Sequence, residues 1–180
     1  DGTTHMIYEP LEFLGRLAHG FRTVGVTGSH GKTSLPWMIA HLLVSAGRDP
    51  AVLVGGVVPS LKSNFRVSAS AGPTGRGELV LEVDESDNRL DRVIPSLPVV
   101  ANIDDDHLEH YGTMDALEAA LTRYLASAGQ THDEFAALVG CGDDRRVLRA
   151  LRKAQRRTGL PVLDYGFGST RTIRGLEVRG

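Results

Sequence analysis

The stretch Gly28-Ser-His-Gly-Lys-Thr33 follows a short apolar run, Val24-Gly-Val26. It precedes a helix-period segment through Met38, Ile39, Leu42 and Leu43. A strand that enters a glycine-bearing turn and then opens a helix with Lys-Thr has the parts of a phosphate cradle. Gly28 and Gly31 let the backbone curl so that successive N–H groups face an anion, and the helix N-terminus adds partial positive charge. Lys32 would then reach the β- and γ-phosphates, and the Thr33 hydroxyl would hold Mg²⁺. The spacing is G-x-x-G-K-T; the longer G-x-x-x-x-G-K-[ST] pattern would need a glycine where Val26 stands. The plain alternative is a glycine turn that happens to precede Lys-Thr. Pro36 falls in the helix's opening turns and removes one N–H, which predicts a late or bent helix start.

Two more stretches place polar residues directly after an apolar run. Leu79-Val-Leu-Glu-Val-Asp-Glu-Ser-Asp87 ends in carboxylates, hard oxygen ligands for a divalent cation that bridges phosphates. Acidic residues after a strand also serve as an ordinary solvated loop or helix cap. Glu82 stands apart because it interrupts the apolar strand, so its burial would need a compensating partner such as a metal. In Val99-Val-Ala-Asn-Ile-Asp-Asp-Asp-His-Leu-Glu-His-Tyr-Gly112, Asn102 and His107 follow another apolar run. Neutral imidazole is a poor Mg²⁺ ligand, so His107 alone reads as structural.

The elements that must position these residues alternate. Strands are expected at 24–26, 51–54, 79–81, 99–103, 136–139, 161–163 and about 172–178, and helices at about 11–20, after Lys32, around 117–125 and from 143 to about 158. Residues 55–77, rich in Gly, Ser and Pro, read as loop with at most a short edge strand. Short apolar strands separated by amphipathic helices define an α/β fold with a mostly parallel sheet covered on both faces, whose ligands sit at the carboxyl ends of the strands.

The chain has 180 residues, which fits one domain or part of a larger protein. Lys and Arg number 20 against 22 Asp and Glu, a net charge of −2 that argues against nucleic acid and anionic membrane as partners. Arg145, Arg149, Arg152 and Arg156 share a helical face opposite Val147, Leu148, Leu151 and Ala154, which reads as a solvated helix surface. Cys141 is the only cysteine, so there is no internal disulfide and no multi-cysteine zinc site; an inert thiol is expected. No stretch approaches the length of a membrane helix, and a reducing cytoplasm is the expected compartment. Residues 1–6 are set apart as a vector remnant or disordered start.

Taken together and in order, the three segments resemble the Mur ligases, ATP-dependent amide-bond ligases of peptidoglycan precursor synthesis. Thr27-Gly-Ser-His-Gly-Lys-Thr33 is similar to that family's phosphate loop, and Glu82-Val-Asp-Glu-Ser-Asp87 and Asn102-Ile-Asp-Asp-Asp-His-Leu108 with Gly112 are similar to its acidic and histidine stretches. Cys141-Gly-Asp-Asp144 and Asp164-Tyr-Gly-Phe167 resemble later elements of the same domain. The resemblance implies a P-loop NTPase-like central domain over residues 7–180, incomplete at its C-terminal end, with the UDP-binding and C-terminal ligase domains absent.

For the site, the resemblance implies that Lys32 neutralises ATP phosphates, that Thr33 binds a first Mg²⁺, and that Glu82 and His107 ligate or position a second. It implies nucleotide binding by Gly28, Ser29, His30, Gly31, Lys32, Thr33, Ser34 and Asn102. His30 is the variant of the alanine-adding member, which implies UDP-N-acetylmuramate and L-alanine as the whole enzyme's substrates. A tripeptide-recycling relative, which carries Tyr where this chain has Ser86, and an unrelated P-loop phosphotransferase are the alternatives. The chain alone is expected not to ligate. Leu35-Pro36, Asn88-Arg89 and Ala101 depart from the family pattern.

Overall fold

A computed structural model describes residues 10–58, 62–70, 76–85, 90–105, 108–131 and 135–175. Their elements run α1 (Pro10–His19), β1 (Arg22–Thr27), α2 (Ser34–Ser45), β2 (Ala51–Val58), β3 (Ser63–Arg66) and β4 (Glu78–Glu82). They continue with β5 (Leu97–Val100), α3 (Leu108–Tyr111), α4 (Met114–Ser127), β6 (Leu138–Cys141), α5 (Arg145–Thr158), β7 (Val162–Gly166) and β8 (Ile173–Arg174). The eight strands form one sheet in the order β3-β2-β4-β1-β5-β6-β7-β8. Every neighbouring pair is parallel except β2 with β3, which closes one edge antiparallel.

The alternation of side chains along β4 shows how both faces are used. Leu79 and Leu81 join the larger core beneath α1, α4 and α5, whereas Val80 between them joins a smaller core with Val52, Val54 and Ala40, packed by Trp37, Ile39 and Leu43 of α2. Successive residues of a strand point to opposite faces, so uninterrupted apolar runs are what a doubly covered sheet requires. The expected α/β architecture is therefore present.

Most strand expectations hold, with shifts that have local causes. The strand expected at 99–103 ends at Val100. Ala101 still donates to Thr27 O (2.9 Å), but Asn102 and Ile103 then turn toward side-chain partners. In the expected loop, β2 runs on to Val58 and pairs with β3, so the short edge strand is real. The four-residue helix α3 carried no periodic signal. Of the last strand, Ile173–Arg174 is formed, and the rest of the expectation lies outside the described residues.

Pro36 is the third residue of α2, which begins at Ser34. Leu35 N closes a turn onto Gly31 O (3.0 Å) ahead of it, and Pro36, without an N–H, closes none onto Lys32, so the regular helix starts after that gap, the late start expected. Pro36 is buried. On α5 the apolar stripe is Val147, Ala150, Leu151 and Ala154, with Leu148 only half-buried, while the basic side chains face outward. Arg149 and Lys153 reach from that face to the buried Glu118, at 2.7 and 2.8 Å. Cys141 is a free thiol and only half-buried, because it ends β6 where the sheet meets its loops.

Candidate functional site

The strand order puts β1 between β4 and β5, so the chain leaves β1 through α2 in one direction and reaches β5 on the other side. Such a switch of direction opens a crevice at the carboxyl ends of the strands. The ends of β1, β4 and β5 carry the three polar stretches singled out above. Parallel pairing brings them together although Thr27, Glu82 and Asn102 are far apart in sequence.

The loop from Gly28 to Thr33 is held from the side of β5. Gly28 has φ +141°, and a Cβ there would lie 3.0 Å from Asn102 N, so both conformation and space demand glycine. The Asn102 side chain brackets the backbone of His30: its Oδ1 accepts from His30 N (2.7 Å) and its Nδ2 donates to His30 O (3.0 Å). Ser29 Oγ accepts from Asp104 N (2.9 Å) and lies 3.2 Å from Asp104 O. His30 Nε2 lies 3.2 Å from the Asp104 carboxylate, which the Asp105 N–H and His30 hold below the ordinary carboxylate range against a weaker opposing effect of burial. Ile103 N in turn donates to Asp144 (2.9 Å), the residue whose other oxygen caps α5 at Arg146 N and Val147 N.

These bonds correct one expectation. The N–H groups of Ser29 and His30 do not face an open anion site; Asn102 takes them with its carbonyl oxygen (3.4 Å) and its Oδ1. Asn102 thus braces the loop. Gly31, at φ +77°, accepts from Leu35 N (3.0 Å) and leads into α2. Ser34 is the exposed first residue of that helix; with Leu35 N bonded to Gly31 O and no N–H on Pro36, the Ser34 N–H is what the helix start offers an anion.

On the β4 side, Thr33 precedes α2 but its hydroxyl makes no helix cap. It donates to Glu82 Oε2 (3.0 Å), which also accepts from Gly55 N of β2 (2.7 Å). Lys32 Nζ forms an ion pair with Glu85 Oε1 at 2.6 Å and lies 3.5 Å from Ser29 O. Glu85 is only 1% exposed; its Oε2 accepts from the buried Thr27 hydroxyl (3.3 Å), and its main-chain carbonyl accepts from the Tyr111 hydroxyl.

The burial argument thus picked the wrong carboxylate. Glu82 ends β4 half-buried, while the fully buried group that needs a compensating charge is Glu85, and its partner is a lysine. The sequence held a signal for it: Val83 and Glu85 share the inward side of a stretch whose Asp84 is exposed. Gly55, Asp104, Asp144 and Tyr111 were likewise given no individual role, since they act through long-range bonds. His107 and Ser86 lie outside the described residues.

The donor set fits a magnesium ion shared with phosphate. Among the described residues no three His, Cys, Asp or Glu side chains gather into a metal cage. Mg²⁺ commonly takes one or two carboxylates and fills its octahedron with waters and phosphate oxygens. Thr33 Oγ1 and the Glu82 carboxylate, already 3.0 Å apart beside the helix start, supply hard oxygens of that kind.

Comparison with known proteins agrees with this geometry. Residues 26–179 match the model of the Mur ligase middle domain. The UDP-N-acetylmuramate–L-alanine ligase of Gloeobacter violaceus is 40% identical over 136 residues, 76% of this chain and 27% of that protein. The chain spans only about a quarter to a third of the curated relatives it matches. Among solved structures, the UDP-N-acetylmuramate:L-alanyl-γ-D-glutamyl-meso-diaminopimelate ligase of Neisseria meningitidis superposes with a TM-score of 0.70 at 22% identity, over 87% of this chain and 49% of that one. The UDP-N-acetylmuramate–alanine ligase MurC of Thermotoga maritima gives a TM-score of 0.59 at 26% identity, over 77% and 30%.

Proposed function

Because the chain belongs to the Mur ligase middle-domain family, we propose that it is the nucleotide-binding unit of an ATP-dependent amide ligase. In this reading the whole enzyme joins L-alanine to UDP-N-acetylmuramate in peptidoglycan precursor synthesis, in the cytoplasm. No helix among the described residues is long and apolar enough to cross a membrane. The observation that carries the reading is the convergence of Lys32, Thr33 and Glu82 where α2 begins, at the carboxyl ends of β1 and β4. Relatives at 40% and 33% identity are L-alanine ligases by name, which favours alanine over a tripeptide.

The chemistry is phosphoryl transfer followed by acyl transfer. The muramyl carboxylate attacks the γ-phosphorus of ATP and releases ADP; the alanine amine then attacks the acyl phosphate and releases phosphate. Positioning and charge neutralisation do most of the work in such a reaction. The Ser34 N–H at the start of α2 donates to a phosphate oxygen, and Lys32 reaches the phosphates through a donor not held by Glu85. Thr33 and Glu82 would hold Mg²⁺, which would supply charge neutralisation at the phosphates, and His107 would position a second ion. Asn102 keeps the loop curled while these contacts form.

Residues 7–180 act as the central domain of the longer enzyme, whose other domains bring the UDP-sugar and close over the nucleotide. On its own the chain binds nucleotide without ligating; alanine-dependent phosphate release by the chain alone would refute that. The direct test is calorimetric titration of the chain with Mg·ATP beside Lys32→Ala. Binding that weakens at least about tenfold in the variant is expected. Equal binding by both would remove Lys32 from the site.

A further inference from the structure

Glu85 takes no part in the reaction steps above, yet it is buried beside the lysine of the phosphate loop. Its carboxylate is 1% exposed, 2.6 Å from Lys32 Nζ and 3.3 Å from the Thr27 hydroxyl, and its main chain is tied to Tyr111. A carboxylate this deep is tolerated because a cation pairs with it. The consequence falls on the lysine: its charge is matched before any anion arrives. Glu82 adds a second fixed carboxylate beside Thr33. A phosphate chain entering the loop meets a lysine already neutralised by Glu85 and the negative Glu82, against which the N-terminus of α2 offers only partial charge.

We propose that Glu85 is a specificity residue that restricts the site to metal-complexed polyphosphates. By cancelling Lys32 it makes the loop a weak host for a free polyanion, so a phosphate chain gains the site only when it brings a divalent cation to the Thr33–Glu82 oxygens. The inference rests on the nucleotide reading and deepens it: Mg·ATP is accepted, and ATP without metal is rejected by a named side chain. A like charge a few ångström from the ligand weakens binding by roughly tenfold or more in a partly buried site.

The test is to measure the affinity of the chain for Mg·ATP and for ATP in excess chelator, and likewise for magnesium-complexed and free inorganic tripolyphosphate. Wild type, Glu85→Gln and Glu85→Asp are compared, with a circular dichroism melt as the folding control. Glu85→Gln is expected to tighten metal-free ATP about tenfold while changing Mg·ATP far less. Glu85→Asp, which keeps the charge, should retain the wild-type preference. An unchanged ratio in Glu85→Gln, or a Gln-like ratio in Glu85→Asp, overturns the proposal and leaves the nucleotide reading intact. So does wild type that binds free and metal-complexed ATP equally, a result that needs no variant to fold. If tripolyphosphate shows the preference and ATP does not bind in either form, the nucleotide reading fails and Glu85 keeps its role. Absence of binding by either probe in every protein overturns both.

Discussion

Asn102 closes two hydrogen bonds on the backbone of a single residue, accepting from His30 N at 2.7 Å and donating to His30 O at 3.0 Å. One side chain at the end of β5 thereby sets the curl of a loop that follows β1. Asn102→Ala leaves both peptide groups to find water. We expect a loss of about 1–2 kcal/mol in stability and at least about fivefold weaker Mg·ATP binding, since the loop must then be ordered by the ligand. Urea unfolding and calorimetry on the same variant check the two effects. Asn102→Asp keeps the acceptor, loses the donor and should fall between.

The Thr33 hydroxyl is committed to Glu82 and makes no helix cap, so its removal should be felt at the metal more than at the helix. Thr33→Val should weaken Mg·ATP binding by about tenfold while α2 persists, judged by far-ultraviolet circular dichroism. A variant that binds Mg·ATP normally but melts early would show the hydroxyl to be structural.

Tyr124 is fully buried on α4, and its hydroxyl has no hydrogen-bond partner among the described residues; burial pushes its titration well above the usual tyrosine range. The oxygen sits where a Cβ at Gly25 of β1 would project. Tyr124→Phe removes an unpartnered polar atom and should raise stability by about 1 kcal/mol. Gly25→Ala drives a methyl into that oxygen and should cost about 1–3 kcal/mol, a penalty that Tyr124→Phe relieves in part. Chemical denaturation of the two single variants and the double variant measures the coupling.

Acid should unfold the chain through specific carboxylates. Burial pushes Asp164 up, but the Thr172 hydroxyl and N–H together with Arg171 outweigh it and hold the group below its ordinary value. Glu118 is held down first by its hydrogen bond from Arg149, against burial, and then by Lys153. A lowered folded pKa contributes stability that is complete above the unfolded value and lost as pH falls through the folded one. With unfolded values near about 4, the urea midpoint should stay level from about pH 7 to about pH 5 and then fall. Asp164→Asn should make that fall shallower. A midpoint that rises on acidification would contradict this.

Much of the site was legible because its chemistry is local. The glycines and Lys-Thr of the loop, the apolar run before them and the helical period after them are one continuous stretch, and the structure forms β1, the turn and α2 there. The acidic stretch and the Asn-Asp stretch were recognisable in the same way, as polar residues placed where buried strands end. The effect of Pro36 was legible for the same reason: its missing N–H interrupts the hydrogen-bond ladder one residue after Leu35, with no tertiary partner involved.

By itself the sequence determined the alternation of elements, the doubly covered sheet and the segments that carry polar chemistry, since strand and helix periods and turn residues are short-range properties. Only the tertiary structure decided which groups face one another. Strand order placed β4 and β5 on either side of β1. That placement assigned the buried charge to Glu85 in place of Glu82, paired it with a lysine 53 residues away, and turned Asn102 toward a backbone 72 residues away. Burial and partner choice are set by packing across the sheet, which no local pattern encodes, and they determine the charge that a phosphate meets at this loop.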